Sequence, residues 1–252
     1  MQNLTHILFD FFGTLVSYSE SRVEQGYSRS YKLIVENGSD FTYQAFLNEW
    51  DRLFREFEQR SSASQNEFSM TELCECFFRQ SLKIVPNFEL IASFRDTYLE
   101  EWSRGVTYIL GVNEMLDALS DNHTLVLVSN THHAELVEDH LRSSGMEQYF
   151  DYVITSVEHG RRKPSRSIFE HALHSSNGLK GTALFVGDSY ALDYKGAQAA
   201  GIPCLLIDPT MRYDVPNYLR LNGILDLPST MLLANHANAA DARTSNSWMQ
   251  RI

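Results

Sequence analysis

Cysteine and proline are scarce in this chain, with 3 Cys and 6 Pro among 252 residues. Cys74, Cys76 and Cys204 offer neither a disulfide framework nor the spacing of a structural zinc site. On a helix Cys74 and Cys76 point to different faces, so they read as packing residues and not as a pair. Positive charge is also short: 21 Lys and Arg stand against 32 Asp and Glu, a formal net charge of −11. That balance excludes the cationic footprint of a nucleic-acid surface. It leaves room for an anionic substrate, because a bound metal and a few cations invert the field locally. No apolar run approaches a membrane span, and the N-terminus lacks the basic region and long apolar stretch of a signal peptide. A cytoplasmic location is the expectation. What is present is ordinary for a soluble globular chain, 43% hydrophobic and 21% charged, with length for one large domain or a domain carrying an insertion.

Short apolar segments recur at Thr5 to Asp10, Thr124 to Ser129, Asp151 to Thr155, Thr182 to Gly187 and Pro203 to Asp208. Such runs suit strands buried on both faces. From residue 105 they alternate with helical patterns, for example Leu136, Val137 and Leu141 before Gly145, and Ile168, Phe169, Ala172 and Leu173. Alternating strands and helices predict an α/β core, a doubly wound parallel sheet with right-handed crossovers. Residues 17–104 break the alternation and read as helical throughout. Phe46, Leu47, Trp50, Leu53, Phe54 and Phe57 form one apolar stripe, Met70, Leu73, Phe77 and Phe78 a second, and Leu90 to Trp102 a third. Ser69 or Thr71 is placed to cap the second helix. The expected organisation is a core of residues 1–16 and 105–233, an inserted all-helical cap of 17–104, and a tail of 234–252 with little apolar periodicity.

Four fragments carry chemistry. Leu8-Phe9-Asp10-Phe11-Phe12-Gly13-Thr14-Leu15 ends a strand with a carboxylate before a glycine turn. Leu125 to Asn130 ends a buried strand with the hydroxyl of Ser129 and the amide of Asn130. Gly160-Arg161-Arg162-Lys163-Pro164 is a basic loop before a helix start. Leu184 to Ser189 ends a strand with Asp188, and Asp193 follows in the next helix. Taken singly, each has a plain structural reading as a turn, a helix cap, a solvated loop or a favourable helix N-terminus. Together they all lie at or just beyond the carboxyl ends of strands, where ligands bind in open parallel sheets.

In that order the four fragments resemble the motifs of the haloacid dehalogenase superfamily, over roughly residues 4 to 230. The helical insertion resembles the cap of its phosphoglycolate-phosphatase-like and dehalogenase-like branches. The resemblance implies Asp10 as a nucleophile forming a covalent aspartyl intermediate. It implies that Gly13, Thr14, Ser129 and Asn130 contact the transferring group and that Lys163 neutralises charge. It implies Mg²⁺ held by Asp10, Asp188 and the backbone carbonyl of Phe12, with Asp193 in support.

The segment departs from the family's Asp-x-Asp-Gly-Thr-Leu at one position, where the second Asp is Phe12. In the family's phosphatases that Asp protonates the leaving oxygen and activates water, help worth typically ~10²–10⁴-fold. A phosphatase without it is expected to act on a small phosphorylated metabolite with a good leaving group, or to recruit a donor such as Glu20 or His132. The dehalogenase branch carries an aromatic here, so a 2-haloacid dehalogenase is the alternative. Its fourth motif, Ser-x-Asn-x-x-Asp, differs from Asp188-Ser189-Tyr190-Ala191-Leu192-Asp193, which keeps a metal-binding carboxylate. A binding protein on the same fold is a third reading. Tyr18, Arg22, Tyr27, Arg29, His132 and His133 are candidates for contacting substrate, each with a solvent-facing alternative.

Overall fold

The computed structural model describes residues 4–19 and 25–232. Glu20, Arg22 and the 234–252 tail lie outside them. The chain runs β1 (His6–Phe9), β2 (Val16–Tyr18), α1 (Ser28–Glu36), α2 (Tyr43–Ser64), α3 (Met70–Cys76), α4 (Phe88–Ser103), β3 (Val106–Tyr108), α5 (Val112–Ser120) and β4 (Thr124–Ser129). It continues through α6 (Ala134–Ser144), β5 (Tyr152–Thr155), α7 (Ser156–His159), α8 (Arg166–Ser175), β6 (Ala183–Gly187), α9 (Lys195–Ala200), β7 (Cys204–Ile207) and β8 (Arg220–Leu221).

Six strands form one sheet in the order β5-β4-β1-β6-β7-β8, and every pairing is parallel. The period-two alternation of a strand divides its residues between two cores. Ile7, Phe9, Leu125, Leu127, Leu184 and Val186 face one layer of helices, and Leu8, Val126, Val128 and Phe185 face the other. This burial on both faces explains the unbroken apolar runs of the sequence. Because β1 lies between β4 and β6, the crossovers depart in opposite directions from it. That is the topological switch point, where a crevice opens beyond the strand ends.

The helices from Ser28 to Ser103 form a third core around Phe46, Trp50, Phe77 and Phe94. The Trp50 ring meets Phe77 at 5.1 Å and Phe94 at 5.3 Å, close to the preferred edge-on geometry. Thr42 caps α2 by accepting from the Ala45 amide. Ser69 caps α3 in a reciprocal box with Glu72, and Asn87 caps α4. A feature not read from the sequence links this layer to the sheet. β2 and β3 pair antiparallel, Val16 opposite Tyr108, in a ribbon that carries the chain out and back. Cys74 is buried in the helical core and Cys76 is half-exposed on the next face, as the helix periodicity requires.

Candidate active site

The carboxyl ends of β1, β4 and β6 bring together residues separated by up to 183 positions, from Asp10 to Asp193. Asp10 follows β1 directly and is buried. Thr14 lies on the turn after it and donates its hydroxyl to Asp10 Oδ2 at 3.0 Å. Lys163 is buried and donates its ammonium to Asp10 Oδ1 at 2.6 Å. The same ammonium stands 2.7 Å from Asp193 Oδ1. Asp193 Oδ2 accepts from the Ser189 amide at 2.9 Å, which fixes that carboxylate at the first turn after β6.

Two glycines make this closeness possible. Gly13 has φ +92°, and a Cβ there would run into the Asp188 carboxylate, 2.7 Å from its carbon. Gly187 ends β6, and a Cβ there would stand 2.5 Å from the Asp193 carboxyl carbon. Only a residue without a side chain leaves room for each carboxylate.

Asn130 also has a bracing part that its sequence position did not suggest. Its Oδ1 accepts from the Lys163 amide at 2.8 Å, and its Nδ2 donates to the Lys163 carbonyl at 3.1 Å. It therefore ties the loop after β4 to the loop that presents Lys163, with one amide hydrogen left for a ligand. Ser129 is buried, its hydroxyl 3.4 Å from the Asn130 carbonyl.

The electrostatics are unbalanced. Asp10, Asp188 and Asp193 each offer an oxygen within 4.8 Å of the others, and one ammonium lies among them. Burial works against the Lys163 charge, but Asp10 and Asp193 outweigh it and raise its pKa. Burial, with the negative charges of Asp10 and Asp193, pushes Asp188 up to about 7. Burial also pushes Asp193 up to about 6, against the pull of Lys163. Two buried carboxylates and the half-buried Asp188 around one ammonium repel one another unless protons or a further cation join them. An all-oxygen donor set of this kind fits a hard divalent cation.

A cavity of about 320 Å³ lies between the core loop after β4 and the helical layer, reaching the site at Phe12 and Asn130 and not lined by the carboxylates themselves. Phe12, Tyr18, Phe54, Tyr98 and Trp102 give it aromatic walls, and Asn130 lies at its polar edge. The Phe12 ring meets Trp102 at 5.2 Å and Tyr18 at 6.1 Å. Trp102 had no signal beyond its place in an apolar helical stripe. Of the other residues singled out in the sequence, His132 and His133 also line this cavity. Both His132 ring nitrogens already face glutamates, Glu67 at 3.0 Å and Glu58 at 3.1 Å. His133 pairs with Glu135 at 3.0 Å. Tyr27 is buried and stacked on Tyr98 at 4.7 Å. Arg29 is exposed and paired with Glu100, so neither Tyr27 nor Arg29 reaches the site. Within the basic triplet, Arg161 is exposed while Arg162 and Lys163 are buried.

Residues 7–207 match the family model described as haloacid dehalogenase-like hydrolase. The chain belongs to that family and is a hydrolase. It is 24% identical over 215 residues to ribulose-1,5-bisphosphate 5-phosphatase of Halopiger xanaduensis, covering 83% of this chain and 87% of that protein. It is 38% identical over 86 residues to haloacid dehalogenase-like hydrolase domain-containing protein 3 of Bos taurus, which is 32% of this chain and 34% of that protein. Its fold is similar to the crystal structure of a 2-haloacid dehalogenase from Pseudomonas syringae pv. Tomato, with TM-score 0.70 and 18% identity over 91% of this chain and 98% of that one.

Proposed function

We propose that this hydrolase is a Mg²⁺-dependent phosphatase that acts on a small phosphorylated metabolite through Asp10, with residues 17–104 as a cap over the site. The observation that carries the reading is the acidic cluster. Asp10, Asp188 and Asp193 bring three carboxylates within reach of one cation, and without one, burial and the neighbouring charges push the Asp188 pKa up to about 7. A carbon–halogen cleaving site has no need of that arrangement, since halide leaves with its own charge. Asp10, Asp188 and the Phe12 carbonyl would hold Mg²⁺, which when bound supplies charge neutralisation to the phosphoryl oxygens.

The chain's own residues do the rest. Thr14 and Lys163 hold the two Asp10 oxygens by separate hydrogen bonds, which orients the nucleophile. An Asp10 oxygen forms a bond to phosphorus as the bond to the leaving oxygen breaks, and that oxygen takes the electron pair. Water then displaces the aspartyl oxygen from phosphorus, releasing phosphate and restoring Asp10. Lys163 and the remaining Asn130 amide hydrogen offset charge on the phosphoryl group.

Phe12 sets the substrate class. It cannot protonate a leaving oxygen, so the leaving group must depart as a stable anion. His132 is committed to Glu58 and Glu67 and does not take over that part. The aromatic walls around Phe12 and Trp102 suit a flat, apolar leaving group such as an aryl or acyl moiety. The aromatic at position 12 also favours the second reading, a 2-haloacid dehalogenase working through an Asp10 ester. Phosphate release from acyl, aryl and alkyl phosphates, with Mg²⁺ or with chelator and with Asp10→Asn as the blank, tests the choice. Metal-dependent release that favours good leaving groups and vanishes in the variant is the expected result. Release that survives in chelator after Asp188→Ser would overturn the metal assignment.

A further inference from the structure

Glu58, Glu67, His132 and Arg162 come from four separate stretches of chain and meet in one cluster, in which Arg162 is buried and the other three are half-buried. Glu58 sits near the end of α2, and Glu67 lies in the link to α3. His132 and Arg162 belong to the two core loops that follow β4 and precede α8. The His132 ring stacks on Phe68 at 4.0 Å and sets its edge on Phe54 at 5.4 Å. Its Nδ1 faces Glu67 Oε1 at 3.0 Å and its Nε2 faces Glu58 Oε1 at 3.1 Å. Arg162 donates to Glu58 Oε1 and to Ser61 Oγ, each at 3.0 Å, and stands 3.7 Å from Glu67. The Thr131 amide donates to Ser156 Oγ at 2.9 Å, and that hydroxyl donates to Glu67 Oε2 at 2.6 Å. Backbone bonds reinforce the junction. The Met70 amide donates to the His132 carbonyl at 2.7 Å, the Glu67 amide to the Gly160 carbonyl, and the Arg162 amide to the Gln65 carbonyl.

Every side-chain bond in this cluster spans the boundary between the helical layer and the core or braces one that does. Each core loop carries a site residue next to its contact: Asn130 lies two positions before His132, and Lys163 directly after Arg162. Asn130 and Lys163 are themselves bonded to each other. A shift of either loop therefore moves the ammonium that holds Asp10.

Charge counting shows what the cluster requires. Glu58 and Glu67 carry two negative charges, and Arg162 supplies one positive. Only an imidazolium makes the sum zero. A neutral ring has one N–H, so one of the two carboxylates would then face a ring lone pair in a buried setting, which is strongly unfavourable. The charged groups that face the ring are Glu58 of α2, Glu67 of the α2–α3 link and Arg162 of the core loop. His133 beside it pairs with Glu135 of α6.

We propose that this cluster is a positioning clamp: it fixes the loops that carry Asn130 and Lys163 against the helical layer, and it holds only while His132 bears both ring protons. The proposal rests on the reading of Lys163 as the group that holds Asp10. Burial opposes the His132 charge, yet its bonds to Glu58 and Glu67 keep its pKa above the usual histidine value. Burial likewise opposes the Glu58 charge, but its bonds to His132 and Arg162 hold it down at about 2. The clamp therefore persists to higher pH than an ordinary histidine would allow, and it loosens as pH rises through the raised His132 pKa.

Two readouts test it, and one needs no substrate. NMR gives the His132 ring titration and the exchange protection of the Thr131, Met70 and Arg162 amides. Phosphate release gives kcat against pH. In the wild type, protection should fall roughly ten-fold over the pH range in which the ring loses its proton, and kcat should fall with it. His132→Gln should lower neutral-pH kcat by about 10- to 100-fold, more than it changes KM, and remove that alkaline limb. Glu58→Gln should move the ring titration and the limb to lower pH, and Glu58→Asp should restore both. A folded His132→Gln protein with wild-type kcat and pH profile overturns the clamp. So does a Glu58→Gln protein with an unmoved ring titration, which decides the matter if His132→Gln does not fold. Amide protection that follows the ring titration with no phosphate release would support the clamp and refute the phosphatase.

Discussion

Replacing Asp188 by Asn should stabilise the protein when no metal is bound. A carboxyl raised from 3.8 to about 7 costs the ionised folded state about 4 kcal/mol. The group is not fully enclosed, and Asn gives up its attraction to Lys163, so about 2 kcal/mol is the working figure. For a chain of this size that amounts to a rise in Tm of roughly 4–8 °C. The sign follows from linkage. A carboxyl that binds its proton more tightly when folded adds stability at low pH and gives it up as pH rises from about 4 through about 7. The advantage of Asp188→Asn should therefore be full at pH 8 and shrink toward pH 4. Mg²⁺ should raise the wild-type Tm strongly and that of Asp188→Asn little, because a ligand stabilises only through what it binds. Thermal melts in chelator and in Mg²⁺ across that pH range check all three statements. A variant that melts lower than wild type in chelator at pH 8, or that gains as much from Mg²⁺, would refute the account of the cluster.

Two other substitutions probe the same site. Phe12→Asp should raise the rate on alkyl phosphates relative to aryl phosphates by about 10²-fold, measured as a ratio of kcat/KM values, while losing the ring contacts with Trp102 and Tyr18 and melting a few degrees lower. Gly13→Ala forces a side chain at φ +92° against the Asp188 carboxylate. It should lose about 1–3 kcal/mol of stability and most of the stabilisation by Mg²⁺, both read from the same melts.

The sheet was legible because strands buried on both faces have unbroken apolar sequences, and the predicted runs fall on β1, β4, β5, β6 and β7 within a residue or two. The ribbon of β2 and β3 was not, since three residues such as Val16-Ser17-Tyr18 carry no period, and β8 has only two residues. Asp10, Ser129 and Asp188 stood out because each sits at the end of a strand in a short local motif, and Lys163 because its basic run precedes a proline and the start of α8. The partners of His132 could not. Glu67 lies 65 residues away, and Glu58 lies 104 residues from Arg162. A glutamate in a helical stretch looks the same in sequence whether it faces water or a buried imidazolium. Arg162 in a basic triplet gave no sign that it turns inward while Arg161 turns out.

The most direct test of the central claim is a single turnover in oxygen-18 water with an aryl or acyl phosphate, followed by mass spectrometry of the released phosphate and of the peptide containing Asp10. An aspartyl-phosphate is opened by water at phosphorus. The account predicts label in phosphate and none in the Asp10 carboxylate. Label in Asp10 after turnover of a 2-haloacid, with no labelled phosphate from any phosphate ester, would mean an ester opened at the carboxyl carbon and would contradict it.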